Sequence, residues 1–235
     1  MEFTAEASQE SPTGPPAHSS PLPIRVVRTL LSPGQLFEEL RREPRALGAL
    51  ALGAASVCLA NAAVPAELWE QVIESRLLSA GQDLPDDLSG AARMARWVAS
   101  IGSLVFWPIL NLLIAGVFSL VFRLGLGYEG AFRQYLAVTA HAMLVGALGA
   151  FLLLPLRIFA RDPQMMLTVA AFLPDMGEGL LGRTLRHLDL FNLWALGLIG
   201  LGASILDGSR SALSSVFFAL GTTALIALVL GAAIP

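Results

Sequence analysis

The sequence of 235 residues predicts an all-α integral membrane bundle: five transmembrane helices preceded by an N-terminal amphipathic lead-in helix. The first observation behind this is that residues 46–66, 97–122, 134–156, 190–206 and 211–235 contain no Asp, Glu, Lys or Arg. A hydrocarbon core roughly 30 Å thick needs about 20 helical residues at a rise of about 1.5 Å each. Four of the runs reach that length; residues 190–206 fall short at 17, but the acids on either side can sit among the headgroups. The second observation is composition: 55% hydrophobic and 14% charged residues leave too little charge to clothe a soluble domain. The third is that the runs are uniformly apolar. Backbone amides in lipid must be bonded internally, and barrel strands would alternate, so the spans are helices.

The chain divides into a polar tail, residues 1–31, and a membrane domain, residues 32–235. Pro12, Pro15, Pro16, Pro21 and Pro23 punctuate a tail too polar to offset its ordering entropy, which reads as disordered. Its first 20 residues lack the apolar centre of a secretory signal, so the first span is expected to direct insertion. Ile24, Val26, Val27, Leu30 and Leu31 interleave with Arg25 and Arg28, a pattern suited to the membrane surface.

Ser32 with Gln35 three positions on forms a capping-box pattern, and Pro33 stands at the first helical position. The helix that follows runs to about Glu43, with Leu36, Phe37 and Leu40 on one side and Glu38, Glu39, Arg41 and Arg42 on the other. It fits the headgroup layer, feeding the chain into the bilayer at Pro44. A docking face for a soluble partner is the competing reading.

After the first span, residues 66–79 read as a helix ended by Gly81 and the acidic cluster Asp83, Asp86 and Asp87. The loop 157–189 carries Met165, Met166 and Phe172, and its stretch 163–174 suits an interfacial or re-entrant piece better than a crossing. Pro108 and Pro155 are expected to kink or end helices. If the tail is cytoplasmic, eight Arg lie inside and seven outside; Arg41, Arg42 and Arg45 flank the first span, so the expected orientation is N-inside, C-outside.

All fifteen basic residues are Arg, a bias that reports GC-rich codon usage rather than an Arg-specific site. The net charge of −3 is spread along the loops, which argues against nucleic acid as a partner. Cys58 is the only cysteine, so an internal disulfide and a tetrathiolate metal site are both excluded.

Polar residues at membrane depth are the candidates for function, because each is costly unless partnered. They are Asn61, Asn111, Gln134, His141, Asp189 and Asn192, with Ser214, Ser215, Thr222 and Thr223 in the last span. Gln134 and His141, seven apart, share a helix face. His141 invites a role as a proton or metal relay. The plainer reading is a neutral imidazole bonded to a backbone carbonyl or to an amide such as Asn111. Asp189 is placed to cap the fourth span, with cation binding beside His187 as the alternative. Glycines 48, 53, 146, 149, 197, 200 and 202 mark close helix packing. Nothing in the pattern points to a catalytic motif, a cofactor or a metal, so no enzymatic activity is expected.

Three segments carry a resemblance: SPGQLFEELRREPR at residues 32–45, GYEGAFRQYLAV at 127–138 and LDLFNLWALGLIG at 188–200. They resemble the Yip family (Ypt-interacting proteins) of multi-spanning membrane proteins, in its bacterial branch, over residues 32–235. The resemblance implies five spans, a cytoplasmic N-terminus and no known enzymatic activity, and it singles out Tyr128, Phe132, Asp189, Phe191 and Trp194. Eukaryotic relatives are implicated in vesicle trafficking and bind small GTPases; the long outside loops here depart from their compact pattern. The expected function is therefore a non-enzymatic protein that organises the bilayer or binds partners: membrane lipids, other membrane proteins or further copies of itself. A transporter or channel for an ion, small solute or lipid, built on Asn61, Asn111, Gln134 and His141, is the alternative.

Overall fold

A computed structural model describes residues 20–173 and 179–233. The expected disorder of residues 1–19 lies outside them. Among the described residues the chain is all helix and loop, with a single isolated antiparallel bridge between Thr168 and Asp189.

The tail ends earlier than its composition implies. Helix α1 spans Leu22–Leu31 and α2 spans Pro33–Arg42, so residues 22–31 are ordered against the bundle rather than part of a disordered segment. The pair is joined by an ion pair between Arg28 and Glu39 at 3.0 Å, while Arg25 reaches the Arg45 carbonyl. Pro33 does stand in the first turn of α2, but Ser32 makes no side-chain cap bond, so the capping box is not formed. Leu36, Phe37 and Leu40 are fully buried, packed into the main core that the helices Phe132–Ala142 and Leu190–Asp207 share. The apolar face of α2 thus meets protein, not lipid, because one end of the bundle stands directly over it.

Helix α3, Leu47–Ala63, is about 25 Å long at the helical rise per residue. Val64, held extended by the Pro that follows it, breaks the helix, and α4 (Ala66–Ser79) leaves at 86°. The bounds of α4 and its terminating Gly81, at φ 68°, agree with the sequence reading. Helix α5, Ser89–Leu120, starts eight residues before the charge-free run and passes through Pro108 unbroken, ending in a π turn over Val121–Gly125. The third run is one span of 29 residues in three pieces: α6 (Phe132–Ala142), α7 (Leu144–Leu152) and α8 (Leu154–Ala160), interrupted at Met143 and Leu153. Pro155 starts α8, where its missing N–H costs nothing.

The described part of the segment, residues 163–173, folds back instead of running on as a helix. Val169 N–H donates to Leu188 and Leu190 N–H to Leu167, which ties it back against the start of α10. Helix α9 (Leu180–Arg186), not expected from the sequence, packs on the end of the last helix, where Arg183 Nε donates to the Gly231 carbonyl at 2.9 Å. Helices α10 (Leu190–Asp207) and α11 (Ala212–Ala233) form the last two spans, separated by Gly208 at φ 77°. Among the described residues four helices are long and apolar enough to cross a membrane, and a fifth crossing follows when bent α3 and α4 count as one span.

The core runs through the middle of α2, α5, α6, α7 and α10. The outward faces of α5 and α11 carry exposed Val98, Ile101, Val105, Phe217, Leu225 and Val229. That inversion, apolar outside as well as in, is what a lipid solvent requires.

Candidate functional site: a polar cavity where three spans end

Asn61 lies in the last turn of α3, Arg157 near the end of the third span, and Asp189 and Asn192 at the start of α10. These termini fall on one side of the bundle, so the four side chains share one membrane-surface level. They line a cavity of about 220 Å³, floored by Val57, Trp107, Gly149, Ala150, Leu153 and Phe191.

Each polar wall is held by its own element. Asp189 is the N-cap of α10 and is nine-tenths buried: its Oδ1 accepts from the Asn192 N–H at 2.9 Å, as the sequence predicts. Arg157 Nε donates to the Met165 carbonyl at 3.0 Å, pinning the 162–173 segment across the cavity mouth. Asn61 Nδ2 reaches the Ala99 carbonyl at 3.4 Å. The floor depends on glycine: a Cβ at Gly149 would lie 2.5 Å from the Phe191 ring, and one at Gly146 would lie 3.2 Å from Asn192 Oδ1. Trp107 packs its indole N–H against Gly53, where among the described residues it finds no acceptor.

The other sequence candidates stand elsewhere. Asn111 Nδ2 donates to the Trp107 carbonyl at 2.9 Å, one turn back on its own helix. His141 is fully buried, with Nδ1 2.8 Å from the Ala137 carbonyl, again on its own helix. Its bond goes to a backbone carbonyl and not to Asn111. Gln134 sits at the opposite membrane face: Oε1 accepts from Ala131 N–H, and Nε2 donates to the Arg41 carbonyl at the end of α2, both at 2.6 Å. Gln134 and His141 therefore share a helix face without sharing a site. Asn61, Asn111, Gln134 and His141 do not converge. Among the described residues no three His, Cys, Asp or Glu side chains meet, and His187 is exposed beside buried Asp189.

The family-motif residues also separate. Tyr128 is buried at the α2 end of the bundle, its ring 5.0 Å from that of Phe122 and its hydroxyl 2.8 Å from Ser215 Oγ. The loop that delivers it turns on Gly127 and Gly130, at φ 70° and 114°. Phe191 packs on Gly149 in the cavity floor, whereas Phe132 and Trp194 are exposed at the bundle surface. Arg157 is the cavity residue that sequence reasoning missed. Its position at the end of an apolar run marks it only as a flanking charge; the fold-back that brings it toward Asp189 is a tertiary event.

Comparison with curated proteins and with solved structures returns no match. The family model of the Yip1 domain, by contrast, matches residues 27–234, nearly all of the bundle from α1 to α11. The match starts inside α1. With its apolar helices and this match over most of its length, the chain is a multi-pass membrane protein that belongs to the Yip1 domain family.

Proposed function

We propose that this protein acts without catalysis, organising the lipid around it and holding partner proteins or further copies of itself in the bilayer. One observation carries the reading: five of the polar side chains within the spans are bonded to carbonyls of their own helices. Asn111 bonds Trp107, His141 bonds Ala137, Ser103 bonds Ser100, Ser204 bonds Leu201, and Thr223 bonds Ala219. Such bonds turn each of these groups back onto its own helix, and Asn111 Oδ1, Thr139 Oγ1 and His141 Nε2, buried without a partner among the described residues, are not joined to one another by a hydrogen bond between helices. No acid and base face each other at one depth among these groups, which supports the absence of an enzymatic role. The partners are membrane lipids and membrane proteins, with no nucleic acid, given the scattered charge. The membrane is read as the bacterial cytoplasmic membrane, with α1 and α2 on the cytoplasmic side and the end of α11 opposite, in keeping with Arg41, Arg42 and Arg45 beside the first span.

The test is flux. Purified protein reconstituted into sealed vesicles loaded with pH- and potassium-sensitive dyes should leave leak rates equal to those of protein-free vesicles. Saturable flux that is lost in His141→Ala or Asn111→Ala would overturn the reading in favour of a transporter or channel.

A further inference from the structure

We infer that the cavity bounded by Asn61, Arg157, Asp189 and Asn192 is a binding site for a zwitterionic phosphate–ammonium group, as carried by the headgroup of an amine-bearing phospholipid. The inference deepens the proposed lipid-organising role.

The wall carries two opposite charges that do not meet. Arg157 feels Asp162 most and Asp189 next, and of these two acids Asp189 lines the cavity with it, yet no ion pair joins Arg157 to either among the described residues. Opposite charges that share a sheltered cavity normally close on one another, because leaving them apart forfeits the attraction that offsets desolvation. Here each is held back by its own anchor: Arg157 by the Met165 carbonyl through Nε, Asp189 by the α10 backbone through Oδ1. The guanidinium ends of Arg157 and the second oxygen of Asp189 therefore have no protein partner among the described residues. A guanidinium presents a planar fork suited to phosphate, and a carboxylate suits an ammonium. The two in one cavity match a group bearing both charges a few bonds apart.

Size and position narrow the ligand. About 220 Å³ is several times the roughly 30 Å³ of one water but below the roughly 300–1,000 Å³ of sites for drug-sized molecules. A headgroup fits that range. The polar wall stands where three spans end, at headgroup depth, while Val57, Ala150, Leu153 and Phe191 continue the wall inward with apolar surface. Asn61 and Asn192 add amides beside the charges, and half-exposed Met166 covers the mouth. A soluble phosphoamine would use the charged wall alone, whereas a phospholipid would also use the apolar one.

The experiment reads lipid retention. Full-length protein in detergent is exposed to equal amounts of phosphatidylethanolamine and phosphatidylglycerol, and the bound lipid is quantified by native mass spectrometry. Wild type should favour the ethanolamine lipid by about tenfold, the size expected of one charge-assisted hydrogen bond to the amine. Asp189→Asn keeps a capping oxygen and should abolish that preference; Arg157→Gln should lower retention of both lipids. If Asp189→Asn lowers the melting temperature, Asn192→Ala, whose side chain makes no bond among the described residues, should still reduce the preference. Competition by soluble phosphoethanolamine without lipid retention would assign the site to a free metabolite and overturn the lipid source. Equal retention of the two lipids by wild type, or an undiminished preference in these variants, would overturn the site itself. Flux assays do not involve this cavity, so the two readings can fail separately.

Discussion

Gly200 on α10 lies directly against the main chain of Ser215 on α11: a Cβ at position 200 would stand 2.7 Å from the Ser215 carbonyl oxygen. Because that neighbour is backbone and not the end of a flexible side chain, the two helices can approach this closely only with hydrogen at 200. The close approach also delivers Ser215 to Tyr128, whose hydroxyl it meets at 2.8 Å.

Gly200→Ala should therefore destabilise the bundle by about 1–3 kcal/mol, the usual cost of overpacking, read as a lowered melting temperature in detergent. Gly221→Ala on the outward face of α11, with nothing within 4 Å, should leave it unchanged or raise it slightly. Equal effects would remove the packing argument.

Phe37→Ala should cost about 3–5 kcal/mol, as for an aromatic removed from a core, while Glu38→Ala on the exposed side of α2 should cost almost nothing. A helix merely floating among headgroups would show no such contrast between neighbouring positions.

Tyr128→Phe should cost about 0.5–1.5 kcal/mol, and Ser215→Ala a comparable amount, with the double variant less destabilised than the sum. Additive effects in thermal or denaturant unfolding would mean that the bond between Tyr128 and Ser215 contributes nothing.

Asp87 Oδ1 accepts from the Ser89 N–H at 2.8 Å at the start of α5, and these hydrogen bonds from Ser89 hold its carboxyl below the ordinary value of 3.8. A depressed folded value means that the stabilisation is present above the unfolded value and is lost as pH falls through the folded one. Amide exchange at Ser89 should thus accelerate in strong acid, relative to the rest of α5, and Asp87→Ala should remove that pH dependence.

Local signals in the sequence account for much of this. Charge-free runs locate all five apolar segments, the helix over residues 66–79 is read to the residue, and Asp189 is recognised as a cap because capping depends only on neighbours in sequence. What escapes is relational. The breaks at Met143 and Leu153 interrupt a stretch with uniform hydropathy. Helix α1 reads as a membrane-surface pattern of apolar residues and Arg until α2 offers Glu39 to Arg28. The lining of the cavity is half legible: Asn61, Asp189 and Asn192 stand out as polar residues near lipid, but that they share a space with Arg157 depends on how three span ends are arranged. Conversely, Asn111 and His141 stand out equally and prove to be bonded within their own helices.

The central claim is that the chain crosses the bilayer five times, with bent α3 and α4 together making the first crossing. In a Cys58→Ser background in sealed vesicles, a membrane-impermeant maleimide should label Glu38→Cys, Glu129→Cys and Arg210→Cys from one side, and Asp83→Cys and Asp162→Cys only from the other. Labelling of positions 38 and 83 from the same side would contradict the account.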